Sequence, residues 1–316
     1  KLNIKDFTIN SKNGSYIKAS TTLPWTALFG CEGRMDANLA LAVNKKDLGA
    51  LLTKEQIEML SLFNNDMFKG TFSIKGNMSH FDIDTIDITI PTIANLQANG
   101  HAKNLNNPGE IEAKLNISSQ TGDIKRFLGE MANDSTPSAT INASGNITYA
   151  NKAIVTNLKM FGVGGNIGVN ASYDIEHEKY NASIGFTDID ANTLLRDLPL
   201  KKATGELSAE GEGFDIFGEQ MKYDIGLLLD TVVYDNIKLN DIAFNAKQSK
   251  HQSDITLTSD ANYLKFNIKA QTELLKEKIS NKTAIDISEA DFMMLGISEA
   301  EVGTRIKMNI EASTDM

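Results

Sequence analysis

The sequence predicts an all-β fold: an elongated, mostly antiparallel β-sheet of degenerate repeats with short helices at the repeat boundaries. Three observations carry this reading. Apolar and polar residues alternate with a period of two over most of the chain after residue 68, clusters of turn formers separate the alternating runs, and a short helical signature recurs.

The alternation comes first. Ile111, Ala113, Leu115 and Ile117 alternate with Glu112, Lys114 and Asn116; Ile167, Val169, Ala171, Tyr173 and Ile175 alternate with Gly168, Asn170, Ser172 and Asp174. Tyr180, Ala182, Ile184 and Phe186 repeat the pattern, as do Tyr223, Ile225, Leu227 and Leu229, and Leu264, Phe266, Ile268 and Ala270. Successive side chains of a strand point to opposite faces, so each segment has one apolar and one wet face. Asn106 to Gly109, Glu176 to Lys179, Tyr234 to Asn236 and Gln248 to Ser253 supply the turns between strands. One-sided amphipathic strands suit an antiparallel meander, whereas a parallel α/β sheet needs helices on both faces and regular helix alternation that this chain lacks.

The helical signature has the form Asp-x-x-x-[Leu/Phe]-Leu, at Asp47–Leu52, Asp123–Leu128 and Asp190–Leu195, with a partial copy at Asp291 that ends on Gly296. Each aspartate is placed to cap a helix N-terminus by accepting from exposed amides. After it the chain restarts in similar ways: Gly70-Thr71-Phe72-Ser73-Ile74-Lys75-Gly76, Ala139 to Gly145, Gly205 to Gly211, and a possible fourth start at Thr304 to Ile310. The aspartates stand 76, 67 and 101 residues apart. The unit is therefore loose, and its third copy is expected to have gained strands. A stacked array follows, with leading strands in 1–34, repeat units at 35–129, 130–198 and 199–297, and the start of another at 298–316. Both ends read as cut, so the chain is expected to be an excised segment.

Composition narrows the function. The formal net charge is −10 and the longest basic clusters are the pairs Lys45-Lys46 and Lys201-Lys202, so no nucleic acid is expected as partner. The single cysteine, Cys31, excludes an internal disulfide framework and a cysteine-based zinc site, and reads as a small buried residue. No run of ~18 apolar residues marks a membrane-spanning helix.

No residue pattern points to catalysis, a metal or a cofactor. His80, His101, His177 and His251 are scattered, without paired spacing. Asp82, Asp84 and Asp87 lack the glycine and distal glutamate of a calcium loop. They read as the wet face of a strand with a bulge near Thr85, because Ile83 is followed by Ile86, Ile88 and Ile90 in shifted phase. Gly162-Val163-Gly164-Gly165 and Gly211-Glu212-Gly213 open no helix after a buried strand, so they read as turns rather than phosphate cradles. What remains is the summed apolar face. It either closes on itself as a sealed core or stays open as a trough, and the residues alone leave both readings standing.

The stretches Leu194-Leu195-Arg196-Asp197-Leu198-Pro199-Leu200-Lys201-Lys202-Ala203-Thr204-Gly205-Glu206-Leu207-Ser208-Ala209-Glu210-Gly211 and Phe68-Lys69-Gly70-Thr71-Phe72-Ser73-Ile74-Lys75-Gly76 resemble the AsmA-like superfamily, which includes TamB and its relatives in Gram-negative envelopes. The likeness covers roughly residues 35 to 316, and the Lys, Asn and Ile richness suggests a Bacteroidetes-type or similar AT-rich source. The resemblance implies an open, taco-like hydrophobic groove in a non-enzymatic periplasmic protein. In the full-length protein, the family's inner-membrane anchor would lie in a segment absent from this sequence. It also implies phospholipid transport between inner and outer membranes and outer-membrane biogenesis, with phospholipid acyl chains as partner and no cofactor. The groove-lining residues expected are Phe72, Ile74, Ile141, Phe161, Ile167, Val169, Ile184, Phe186, Leu207, Ile225, Leu227, Phe266 and Ile268. The rival is a scaffold that assists outer-membrane protein assembly by strand pairing with an outer-membrane barrel protein.

Overall fold

A computed structural model of the chain describes residues 1–29, 32–48, 67–90, 94–128, 131, 132, 134, 136, 139–162, 164–195, 198–235 and 237–315. Cys31, the latter part of the first helical signature and Val163, Arg196, Asp197 and Asn236 lie outside the described residues. The chain divides into two units, Lys1–Val163 with Leu194–Arg196, and Gly164–Thr193 with Asp197–Met316.

The first unit holds β1 (Leu2–Asn10), β2 (Tyr16–Leu23), α1 (Trp25–Phe29), β3 (Met35–Asn44), α2 (Lys45–Leu48), β4 (Met67–Gly76), β5 (His80–Ile90), β6 (Ala94–Lys103), β7 (Glu112–Thr121), α3 (Ile124–Leu128), β8 (Ile141–Ala150) and β9 (Ala153–Gly162). The second holds β10 (Gly165–Asp174), β11 (Lys179–Ile189), β12 (Leu200–Glu212), β13 (Lys222–Tyr234), β14 (Ile237–Ser249), β15 (Gln252–Ala261), β16 (Leu264–Leu275), β17 (Lys278–Asp291) and β18 (Gly303–Asp315). A last helical turn, α4 (Ala191–Leu194), precedes β12.

The protein is all-β. Within each unit every strand pairs antiparallel with the strands before and after it in sequence. Neither meander closes on itself, since no ladder joins β1 to β9 or β10 to β18 among the described residues. No described helix is long and apolar enough to cross a membrane.

Bulges keep the alternation in phase. In β5, Asp84 and Thr85 stand opposite Asn99 alone between the pairs Ile83↔Gly100 and Ile86↔Ala98, which is the bulge expected near Thr85. The same device recurs at Lys5-Asp6, Thr187-Asp188 and Ser288-Glu289. Each time two polar residues are inserted between apolar ones, and the apolar side chains on both flanks stay on one face. At Asp188 the backbone takes φ +53° and its amide donates to Thr204 Oγ1 at 3.0 Å.

Apart from α1, which precedes β3, the described helical turns precede β4, β8, β12 and β18, the four restart strands. Four strands, β4–β7, separate α2 from α3; four more, β8–β11, reach α4; and six, β12–β17, lead to the turn at Asp291. Three aspartates cap as expected. Asp123 Oδ1 accepts from Lys125 N at 3.0 Å, Asp190 Oδ1 from Thr193 N at 2.9 Å, and Asp291 Oδ1 from Met293 N and Met294 N, each at 3.0 Å. Asp47 is the correction. It sits inside α2, whose first turn is capped by Asn44 Oδ1 accepting from Lys46 N at 2.9 Å. The Asp47 carboxylate instead accepts from Ser11 Oγ, Asn13 Nδ2 and Ser15 Oγ in the β1–β2 turn.

Candidate functional site

Cross-strand partners in an antiparallel ladder share a face, so the registers show where each side chain lies. In the first unit three rows run across all nine strands. One is Phe7, Ala19, Leu39, Phe72, Ile86, Ala98, Ile117, Gly145 and Leu158. Its neighbours are Ile9, Ile17, Leu41, Gly70, Ile88, Leu96, Ser119, Ala143 and Met160, and Ile4, Thr21, Ala37, Ile74, Ile83, Gly100, Leu115, Ile147 and Thr156.

The second unit is built alike. Val169, Ile184, Leu207, Leu227, Phe244, Leu257, Ile268, Ile285 and Met308 form one row. It is flanked by Ala171, Ala182, Ala209, Ile225, Ala246, Ile255, Ala270, Thr283 and Ile310, and by Ile167, Phe186, Gly205, Leu229, Ile242, Ser259, Phe266, Ile287 and Ile306. No charged residue stands in any of these rows. In the second unit the Phe186 ring reaches over its cross-strand partner Gly205, and the Tyr180 ring over Gly211.

Twelve of the thirteen expected groove residues therefore share the apolar face of their unit: Phe72, Ile74 and Ile141 in the first, and Ile167, Val169, Ile184, Phe186, Leu207, Ile225, Leu227, Phe266 and Ile268 in the second. Phe161 does not join them. It pairs with Asn142 on the polar face and is 50% exposed, because the apolar phase of β9 is carried by Ile154, Leu158 and Met160. Leu39, Ile86, Ile117, Phe244, Leu257 and Ile285 belong to the face as well. Their strands alternate too, so the period-two signal was available for them.

All substantial contacts between strands are between chain neighbours, and the one helical contact of note is that of α2 with β3. The twelve lining residues are half-buried. No large side chain is fully buried anywhere described, and the most buried apolar residues are chiefly alanines. A sealed sandwich of this size would place Leu, Ile and Phe at its centre. Here they are shared between the sheet and solvent.

The opposite face is polar and ion-paired. Lys75 Nζ meets Asp84 Oδ2 at 2.7 Å, Lys247 Nζ meets Asp224 Oδ2 at 2.6 Å, and Lys202 Nζ meets Asp188 Oδ1 at 2.8 Å. The Lys247 ammonium, by hydrogen bond first, holds the Asp224 carboxyl below its usual value. The histidines fall in this setting or in turns. His80 Nε2 lies 3.1 Å from Asp82 Oδ1, and His177 Nδ1 lies 2.8 Å from Asp174 Oδ2 within one hairpin. Among the described residues no cluster of His, Cys, Asp and Glu has metal-binding geometry.

One row of the second unit differs from the rest. Tyr173, Tyr180, Gly211, Tyr223, Gln248, Ser253, Thr272, Asn281 and Ala312 lie on the apolar face, one row nearer the hairpins than Ala171 and its partners. Tyr223 Oη and Ser253 Oγ are 3.0 Å apart, and Asn281 Nδ2 donates to Thr272 Oγ1 at 2.8 Å. The loop between β12 and β13 folds onto one end of the row. Phe214 stacks on Tyr180 at 5.3 Å and meets Tyr173 at 5.9 Å, and Gln248 Nε2 donates to Ile216 O at 2.8 Å. Burial, then the neighbouring Tyr223, raises the Tyr180 phenol above its ordinary value, which keeps it a hydrogen-bond donor. No motif announces this row in the sequence, because its members come from nine strands.

No family model, no curated protein and no solved structure matches the chain.

Proposed function

We propose that this chain is a non-enzymatic bacterial envelope protein. In this reading its apolar face shelters phospholipid acyl chains in transit between inner and outer membranes, in support of outer-membrane biogenesis. The observation that carries the reading is the set of uncharged, largely apolar rows whose large side chains are only half-buried among the described residues. An aliphatic surface of this kind gains about 0.8 kcal/mol for each methylene it removes from water and needs no directional contact, so it suits acyl chains of varied length. Contiguous exposed apolar area beyond a few hundred Å² marks a binding surface rather than an ordinary protein exterior. The resemblance of the restart segments at Phe68–Gly76 and Leu194–Gly211 to the AsmA-like superfamily supports the same reading, including a periplasmic location with an inner-membrane anchor in the full-length protein.

Mass spectrometry of organic extracts from the purified chain tests this. Phospholipid is expected to co-purify, and Leu227→Asp, in the middle row of the second unit, is expected to remain folded and lose most of it. Phe161→Asp, on the polar face, serves as control and is expected to retain lipid. Equal lipid in the two folded variants, or none in the parent protein, would sink the proposal.

A further inference from the structure

The polar row of the second unit has no counterpart in the first. The row nearest the corresponding hairpins there is Met35, Gly76, Phe81, Ala102, Ala113, Tyr149 and Ile154, without an amide or a small hydroxyl side chain. A sheet margin of this kind therefore does not require polar residues. Burial is also inverted along the second unit's face: Gln248 and Ser253 are 4% and 3% exposed, while the aliphatic Ile225 and Leu227 beside them stay half-exposed.

We propose that this row is a lipid-interface site, hydrogen-bonding the ester and glycerol oxygens of a diacyl lipid whose chains lie along the strands over the adjoining apolar rows. The inference rests on the acyl-chain reading above and specifies its ligand. The row has no charge, so it matches neutral oxygen acceptors rather than a phosphate. Its hydroxyl and amide groups are donors suited to ester carbonyls. The tyrosines Tyr173, Tyr180 and Tyr223 each present an apolar ring with a polar tip, the combination suited to a boundary between hydrocarbon and water. From this row to that of Ile287 and Ile306 is six residues along a strand, ~20 Å of apolar surface, enough to carry a long acyl chain. The charged headgroup would then fall at the hairpins, where Lys250, Lys276 and Glu277 stand.

The test compares dioctanoyl phosphatidylcholine with its dioctyl ether analogue, which keeps the chains and headgroup and lacks the carbonyls. Both are titrated calorimetrically, below their micelle concentrations, into the full chain. The diester is expected to bind about tenfold tighter, equivalent to one or two hydrogen bonds. Thr272→Val/Asn281→Leu removes both partners of one bond at a half-buried site and is expected to abolish the preference while still binding both ligands. Circular dichroism verifies its fold, and Tyr223→Phe is the substitute if the double variant misfolds. Equal affinity for diester and diether in the parent, or an unchanged preference in a folded variant, overturns the row assignment and leaves the apolar face as a chain-binding surface. Binding of neither ligand overturns the acyl-chain reading and the row with it.

Discussion

Asp47 shows how much one carboxylate can organise without a cation. Hydrogen bonds from Ser11 first, then Ser15 and Asn13, hold its carboxyl below the ordinary aspartate value of 3.8. Because the folded form is the stronger acid, the stabilisation is present above the unfolded value and disappears as pH falls through the folded one. Asp47→Ala is therefore expected to lower the thermal midpoint near neutral pH and to speed amide exchange in the β1–β2 hairpin. Its difference from the parent should shrink below pH 3.8 and close once the folded carboxyl is protonated. A difference that persists undiminished in acid would contradict this. The sequence shows an aspartate before an apolar pair and so suggests a cap. It does not show that Ser11 and Ser15, more than thirty residues earlier, fold back onto it. Asp123, Asp190 and Asp291 were legible because their partners are two or three residues away. Phe161 was misplaced for a different reason: β9 carries apolar residues on both faces, Val155 and Phe161 on one and Ile154 and Met160 on the other, so period alone does not choose.

The bulges govern individual strands. In β5 the insertion of Asp84 and Thr85 keeps Ile86, Ile88 and Ile90 on the face already occupied by Phe81 and Ile83. Deleting Thr85 would leave Asp84 alone opposite Asn99 and restore strict alternation from Phe81 to Ile90, so the isoleucines would keep their face without the bulge. Deleting Asp87, outside the bulge, would instead set Ile86 beside Ile88 and force at least one isoleucine to the polar side. Each half-buried isoleucine contributes on the order of 1 kcal/mol. The Asp87 deletion is thus expected to cost at least that and to unprotect β5 and β6 amides, whereas the Thr85 deletion should be nearly silent. Denaturant midpoints of the two variants decide the matter, and similar values would mean that alternation does not govern β5. The phase shift from Ile83 to Ile86 exposes this bulge in the sequence. The bulges at Lys5-Asp6, Thr187-Asp188 and Ser288-Glu289 carry the same mark of a polar pair between apolar residues. The polar row from Tyr173 to Asn281 carries no such mark, because its members become neighbours only once all nine registers are known.

At the scale of each unit, contacts run almost wholly between strands adjacent in the chain. Stability is then close to a sum of local pairings, as in repeat proteins, with no shared centre to enforce an all-or-none transition. Native-state hydrogen exchange is expected to report opening energies graded from strand to strand, with calorimetric unfolding broader than a two-state chain of this mass allows. A single sharp transition with uniform protection would show hidden long-range coupling.

The intervals of four, four and six strands between helical turns take on meaning in this light. A sheet in which each described ribbon leans chiefly on its immediate predecessor and successor can accept or surrender a whole hairpin with little rebuilding elsewhere. Each hairpin adds two strand spacings, ~10 Å, to the span of the rows. Reach becomes a matter of how many planks are laid, and the protein can lengthen its gangway by duplication while every plank keeps the same greasy side uppermost.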